Sequence, residues 1–140
     1  MNQRILNGEL IVKFKIIIAL LLFVSFFAIN MAQAETNNKE YEEIIGRWLR
    51  PDGGYVLVIS GVDDQGNLDA GYFNPNNINV AKAQASIKED QIKIYVEMQD
   101  VGYPGSNYML TYDKDTDRLV GVYYHAILKQ KFDIYFVRKN

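Results

Sequence analysis

From residue 55 to the C-terminus, apolar residues recur at every second position in short runs separated by turn-forming residues. The clearest run is QIKIYVEMQ (91–99), with Ile92, Ile94, Val96 and Met98 on one face and Lys93, Tyr95 and Glu97 on the other. A period of two matches the β-strand, whose successive side chains point to opposite faces. The same rule predicts strands in NLDAGYF (67–73), NINVAKAQASI (77–87), NYMLTYD (107–113), RLVGVYYHA (118–126) and KFDIYFVRK (131–139). YVLVISGV (55–62) is apolar on both sides, as a strand covered on both faces would be. The links are short. Asp64-Gln65-Gly66 is a compact hairpin connection, and Asn74-Pro75-Asn76 breaks the pattern before the next run. In YPGS (103–106), Pro104 fixes φ at the second position and Gly105 tolerates positive φ at the third, the requirement of a type II turn.

Upstream the spacing changes. Tyr41, Ile44, Ile45 and Trp48 stand three or four apart and predict one or two amphipathic helical turns within residues 35–45, which Gly46 keeps short. Pro51 and Gly53-Gly54 then turn the chain. Seven strand runs without a helix long enough for a crossover predict an all-β fold, an antiparallel up-and-down meander after a short N-terminal helix. Left flat, such a sheet exposes two hydrogen-bonding edges. Rolling residues 46–140 into a small closed or partly open barrel removes them, with GRWLR (46–50) available as an eighth strand. A two-sheet sandwich is the competing architecture.

Residues 1–34 have another character. Lys13 and Lys15 precede an apolar run from Ile16 to Ile29 and then Ala32-Gln33-Ala34, the order of a secretory signal peptide. A single-pass anchor is the alternative, but the run is short and interrupted by Ser25 and Asn30. The first eleven residues fit the scheme poorly and suggest translation from Val12, with a long basic region as the other explanation. Cleavage after Ala34 leaves Glu35–Asn140, 106 of the 140 residues, exported to a periplasm or the extracellular space without a stable membrane anchor.

Losing Arg4, Lys13, Lys15 and Glu9 with that segment takes the formal net charge from −2 to −4. Such a chain has no general attraction to nucleic acid or anionic membranes. The absence of Cys excludes disulfides, thiolate metal sites and an N-terminal lipid anchor on cysteine. Glycine-rich phosphate loops and histidine-rich zinc motifs are absent, so no cofactor is expected.

Gly46-Arg47-Trp48 near the start of the mature part and Arg138 in its last strand run, together with the short helix and the meander, resemble the calycin group, which includes lipocalins and avidin-like proteins. In lipocalins a Gly-x-Trp tryptophan closes one end of the barrel beneath an arginine from a late strand. The resemblance implies that role for Trp48 and Arg138, joined by a cation–π contact. GNLDAGYFNP is similar to the glycine-containing hairpins of avidins.

All ten tyrosines fall after Ala34. Tyr108 and Tyr112 share one strand face, and Tyr123 and His125 share another; turned inward near an open barrel end, these four would line a site for a small apolar or amphipathic ligand. The alternative is a solid aromatic core with loops that contact a protein partner. Tyr103 and Asn76 are the rim candidates in either case. Ala81, Ala83 and Ala85 free volume on one face, for rings or for a ligand. Asp113, Asp115 and Asp117 have the opening spacing of a calcium loop, but Arg118 stands where that loop needs glycine and Tyr124 where it needs glutamate, so no metal site is expected. His125 is the only histidine and no motif sets a nucleophile beside it; the expectation is a binding protein with no catalytic residues.

Overall fold

A computed structural model describes residues 39–139 together with Lys13, Lys15, Ile16 and Ile18. Those four are helical; otherwise the expected signal segment, its cleavage site and the Val12 start lie outside the described residues. Lys39, Glu40 and Tyr41 are helical and lead into a 3-10 turn, Glu42–Ile44, which buries Tyr41 and Ile44. Ile45 is already extended, and Gly46 takes a φ of +146°. A Cβ at Gly46 would stand 2.7 Å from Arg138 Nη1, so glycine is what lets the arginine lie against the backbone here.

Nine strands follow: β1 (Gly46–Arg50), β2 (Tyr55–Val62), β3 (Leu68–Asn74), β4 (Asn76–Ile78), β5 (Val80–Lys88), β6 (Gln91–Met98), β7 (Asn107–Asp113), β8 (Arg118–His125) and β9 (Gln130–Arg138). All expected runs are present, GRWLR included; NINVAKAQASI alone divides, at Asn79, into β4 paired with β3 and β5 paired with β6. The YPGS turn has the expected geometry, with Ser106 N–H donating to Tyr103 O at 3.0 Å and Gly105 at φ +77°.

The sheet order is β4-β3-β2-β1-β9-β8-β7-β6-β5. The first strand therefore lies against the last, with Trp48 opposite Arg138 and Leu49 opposite Val137, and the antiparallel meander curls round. Its two ends meet at a seam. Ala85 N–H donates to Gly66 O at 2.7 Å, and Asn67 bridges Gln84, one residue out of the register that pairs Tyr72 with Ile78. β4 and β5 thus act as one bent strand and the sheet nearly closes into a barrel, hiding the edges a flat sheet would expose. At this seam Gly66 has φ +81°, and a Cβ there would stand 2.4 Å from Ala85 O.

Two local expectations change. Leu57 and Ile59 are buried, but on the other side of β2 burial falls from Val56, which is covered, through half-buried Val58 to exposed Ser60, because the outside of a barrel meets water. Ala81 is exposed: a bulge between Val80 and Lys82 takes it out of the row that buries Ala83 and Ala85.

Trp48 is fully buried and its Nε1 donates to Ile44 O at 2.9 Å. Arg138 lies over the indole, Cζ 4.2 Å from the ring centroid, and donates to Ile45 O, Glu43 O and both carboxylate oxygens of Asp117 at 2.7–2.9 Å. One side chain so ties the helical turn, β1 and the β7–β8 link together. A nearly closed antiparallel barrel behind a short helix agrees, at that coarse level, with a calycin-like fold.

Candidate functional site

Toward the other end of β9 the barrel mouth is unfilled. Arg50 ends β1, Tyr55 begins β2, Tyr72 lies near the end of β3, Tyr123 and His125 end β8, and Phe132 lies near the start of β9. With Gly102 and Tyr103 from the β6–β7 loop they line a half-open cavity of about 390 Å³. That falls within the size range of small-molecule sites, roughly 300–1,000 Å³.

The walls are aromatic. Tyr55 stacks on Tyr72 (6.4 Å, 22°) and Tyr123 on Phe132 (6.3 Å, 25°). Arg50 spans the two pairs, its Cζ 4.8 Å from the Tyr55 centroid and 5.4 Å from that of Tyr123. Its side chain is inward because Trp48 is: two residues along a strand return to the same face. Asp52, just past the end of β1, accepts from Nε and Nη2 at 2.7 Å each, while Nη1 donates to the Tyr108 hydroxyl at 3.1 Å. Burial works against the Arg50 charge, but the hydrogen bonds to Asp52 and Tyr108 outweigh it and raise its pKa further.

Beneath the cavity, the Tyr72 and Tyr108 hydroxyls share a 2.9 Å hydrogen bond. Burial pushes Tyr108 up to about 12, against the lowering effect of its bonds to Tyr72 and Arg50. Tyr72 is raised as well, by burial first and then by Tyr108. Burial also raises Tyr123, which a hydrogen bond with Ser106 partly offsets. Ser106 is fully buried, and its Oγ accepts from Ala126 N–H at 3.0 Å, joining the β6–β7 and β8–β9 loops. On the rim, Tyr103 is held by a hydrogen bond from Asn74 Nδ2.

The four tyrosine and histidine candidates do not converge on one cavity. Tyr123 and His125 line it, and Tyr108 lies beneath it with no exposed surface. Tyr112 shares the Tyr108 face but stands four residues on, about 13 Å at the rise of a strand. There it meets Trp48 edge-on at 6.1 Å and donates to Asp117 at 3.1 Å. Of the rim candidates, Tyr103 lines the cavity; Asn76 is exposed and opposes Asn74 in the β3–β4 hairpin. Sequence reasoning missed Arg50, Tyr55, Tyr72 and Phe132. A signal for Arg50 existed, since any argument that turns Trp48 inward turns Arg50 inward too.

In the acidic link, Asp113 accepts from Asp115 N–H and Thr116 Oγ1 while Asp117 is engaged by Arg138. Among the described residues no group of three or more His, Cys, Asp or Glu is arranged to hold a metal ion. Comparison of the chain with protein-family models, curated proteins and solved structures found no match.

Proposed function

We propose that this chain is an exported, noncatalytic barrel that binds a small apolar or amphipathic molecule at its mouth. The observation that carries the proposal is the 390 Å³ cavity between two stacked aromatic pairs, floored by a hydrogen-bonded Arg50–Tyr108–Tyr72 network. Rings fixed by such a network offer apolar contact at little further cost in side-chain entropy. The buried Tyr72 and Tyr108 hydroxyls under the cavity are hydrogen-bonded to each other, and that of Tyr108 also to Arg50, so they form a fixed floor. Export rests on the Lys13–Ala34 pattern. A lipocalin-like relation rests on Gly46-Arg47-Trp48 and on Arg138, whose guanidinium lies over the indole.

A second reading has its own support. Val101 is 95% exposed, and Ile127 and Leu128 are more than half exposed, on the two loops that Ser106 joins. Apolar side chains on adjacent mouth loops suit a protein-docking rim. Native mass spectrometry of protein purified from its own host separates the two. A small-molecule mass released on denaturation, and lost in Tyr55→Ala/Phe132→Ala protein that still unfolds cooperatively, is expected for the ligand barrel. Bare polypeptide, with no heat on titrating pocket-sized aromatic probes, would favour the docking rim.

A further inference from the structure

A guanidinium carries five N–H bonds. Among the described residues Arg50 uses three of them, from Nε and Nη2 to Asp52 and from Nη1 to Tyr108. One N–H remains on each terminal nitrogen, and Arg50 lines the mouth cavity. We infer that the molecule bound there carries an anionic oxygen group, a carboxylate in the simplest case, which Arg50 receives through these two bonds. The inference rests on the mouth being a small-molecule site and names the chemistry of its ligand.

Three further observations favour an anion. None of the side chains lining the cavity is acidic. The counter-charge is displaced outward: the Asp52 side chain is 58% exposed and screened by water, whereas that of Arg50 is 11% exposed. The guanidinium is also held against the Tyr55 and Tyr123 rings, so less order remains to be imposed when an oxyanion arrives. A hydrogen bond from a guanidinium N–H to an oxyanion is charge-assisted, roughly twice as strong as a neutral one. The aromatic walls suit a flat, unsaturated body behind that group, which makes a small aromatic carboxylic acid the class of ligand.

Calorimetric titration of the full chain tests this with matched acids and amides: benzoate against benzamide, 2-naphthoate against 2-naphthamide, and hexanoate against hexanamide. The acids should bind roughly tenfold or more tighter than their amides, the scale of a hydrogen bond to a charged group. Arg50→Gln should abolish that preference. Because this variant also withdraws a partner from Tyr108, Asp52→Asn serves as the independent arm: it leaves Arg50 in place without its counter-charge and should strengthen acid binding while leaving amide binding unchanged. Amides that bind as tightly as acids, or an Asp52→Asn protein with no gain for acids, would overturn the anion while the mouth stays a small-molecule site. If none of the six compounds binds, site and anion fall together.

Discussion

Removing the closure of the barrel one partner at a time should reveal an interaction that neither single change measures. Trp48 has no exposed surface, so Trp48→Ala loses the transfer energy of the ring and leaves a cavity, about 3–5 kcal/mol. Arg138→Ala removes three kinds of contact. The stack on the indole is worth about 0.5–2 kcal/mol. The hydrogen bonds to Ile45 O and Glu43 O add about 1.5–3 kcal/mol as bonds from a charged donor. The Asp117 pair adds no more than about 1 kcal/mol, since that carboxylate is 45% exposed. Together these amount to about 2–6 kcal/mol, and because the Arg138 side chain is 28% exposed and water replaces part of what is lost, the lower end of that range, below the loss for the tryptophan, is expected. The stack is lost in either single variant, so the double mutant should be less destabilised than additivity requires, by about 1 kcal/mol. Arg138→Lys should recover little, because a point ammonium cannot serve two carbonyls and a carboxylate while lying flat on an indole. Equilibrium urea unfolding of the four proteins measures the cycle, provided the slope with denaturant is the same in all. Additivity to within about 0.3 kcal/mol would refute a packed pair, whatever the size of the single losses.

Alkaline titration probes the floor of the site. Burial raises Tyr72 and Tyr108 above the usual tyrosine value of 10.0, so the folded chain holds these protons more tightly than the unfolded one. Their stabilising effect is complete below the unfolded value and is lost as pH rises from 10.0, through about 12 for Tyr108; near the ordinary value of 10.0, where exposed tyrosines ionise, these two should contribute no tyrosinate absorbance, and their ionisation there with tertiary circular dichroism intact would contradict the buried network. At the seam, Gly66→Ala should destabilise more than Gly54→Ala: both positions have positive φ, but a Cβ at Gly54 meets nothing within 4 Å, whereas at Gly66 it stands 2.4 Å from Ala85 O. Hydrogen exchange of the Ala85 amide should quicken in the first variant alone, and equal losses with unchanged exchange would mean that the seam contributes nothing.

Alternation along the chain was enough to determine the strands, because a strand's period is a property of its own backbone and one wet face imposes it residue by residue. Ile92 to Met98 show it most cleanly, and the same two-residue step carries the chain from Trp48 to Arg50. Turns declared themselves where glycine or proline supplied the conformation, as at Pro104-Gly105. They stayed hidden where ordinary residues adopt it: Glu89 and Asp90 both take positive φ in a two-residue hairpin that their side chains do not announce. The break at Asn79 and the bulge that displaces Ala81 were invisible for another reason, since they exist only because one bent strand must pair with β3 at its start and with β6 beyond. The cavity belongs wholly to tertiary structure. Its lining comes from the ends of β1, β2, β3, β8 and β9 and from one loop, and contacts such as Asn74 with Tyr103 join segments that no local pattern relates. Face was legible in sequence, but depth along the barrel was not: the step of two that aligns Tyr108 with Tyr112 is silent about which end of the barrel each reaches, and curling the sheet sends one beneath the mouth and the other against Trp48.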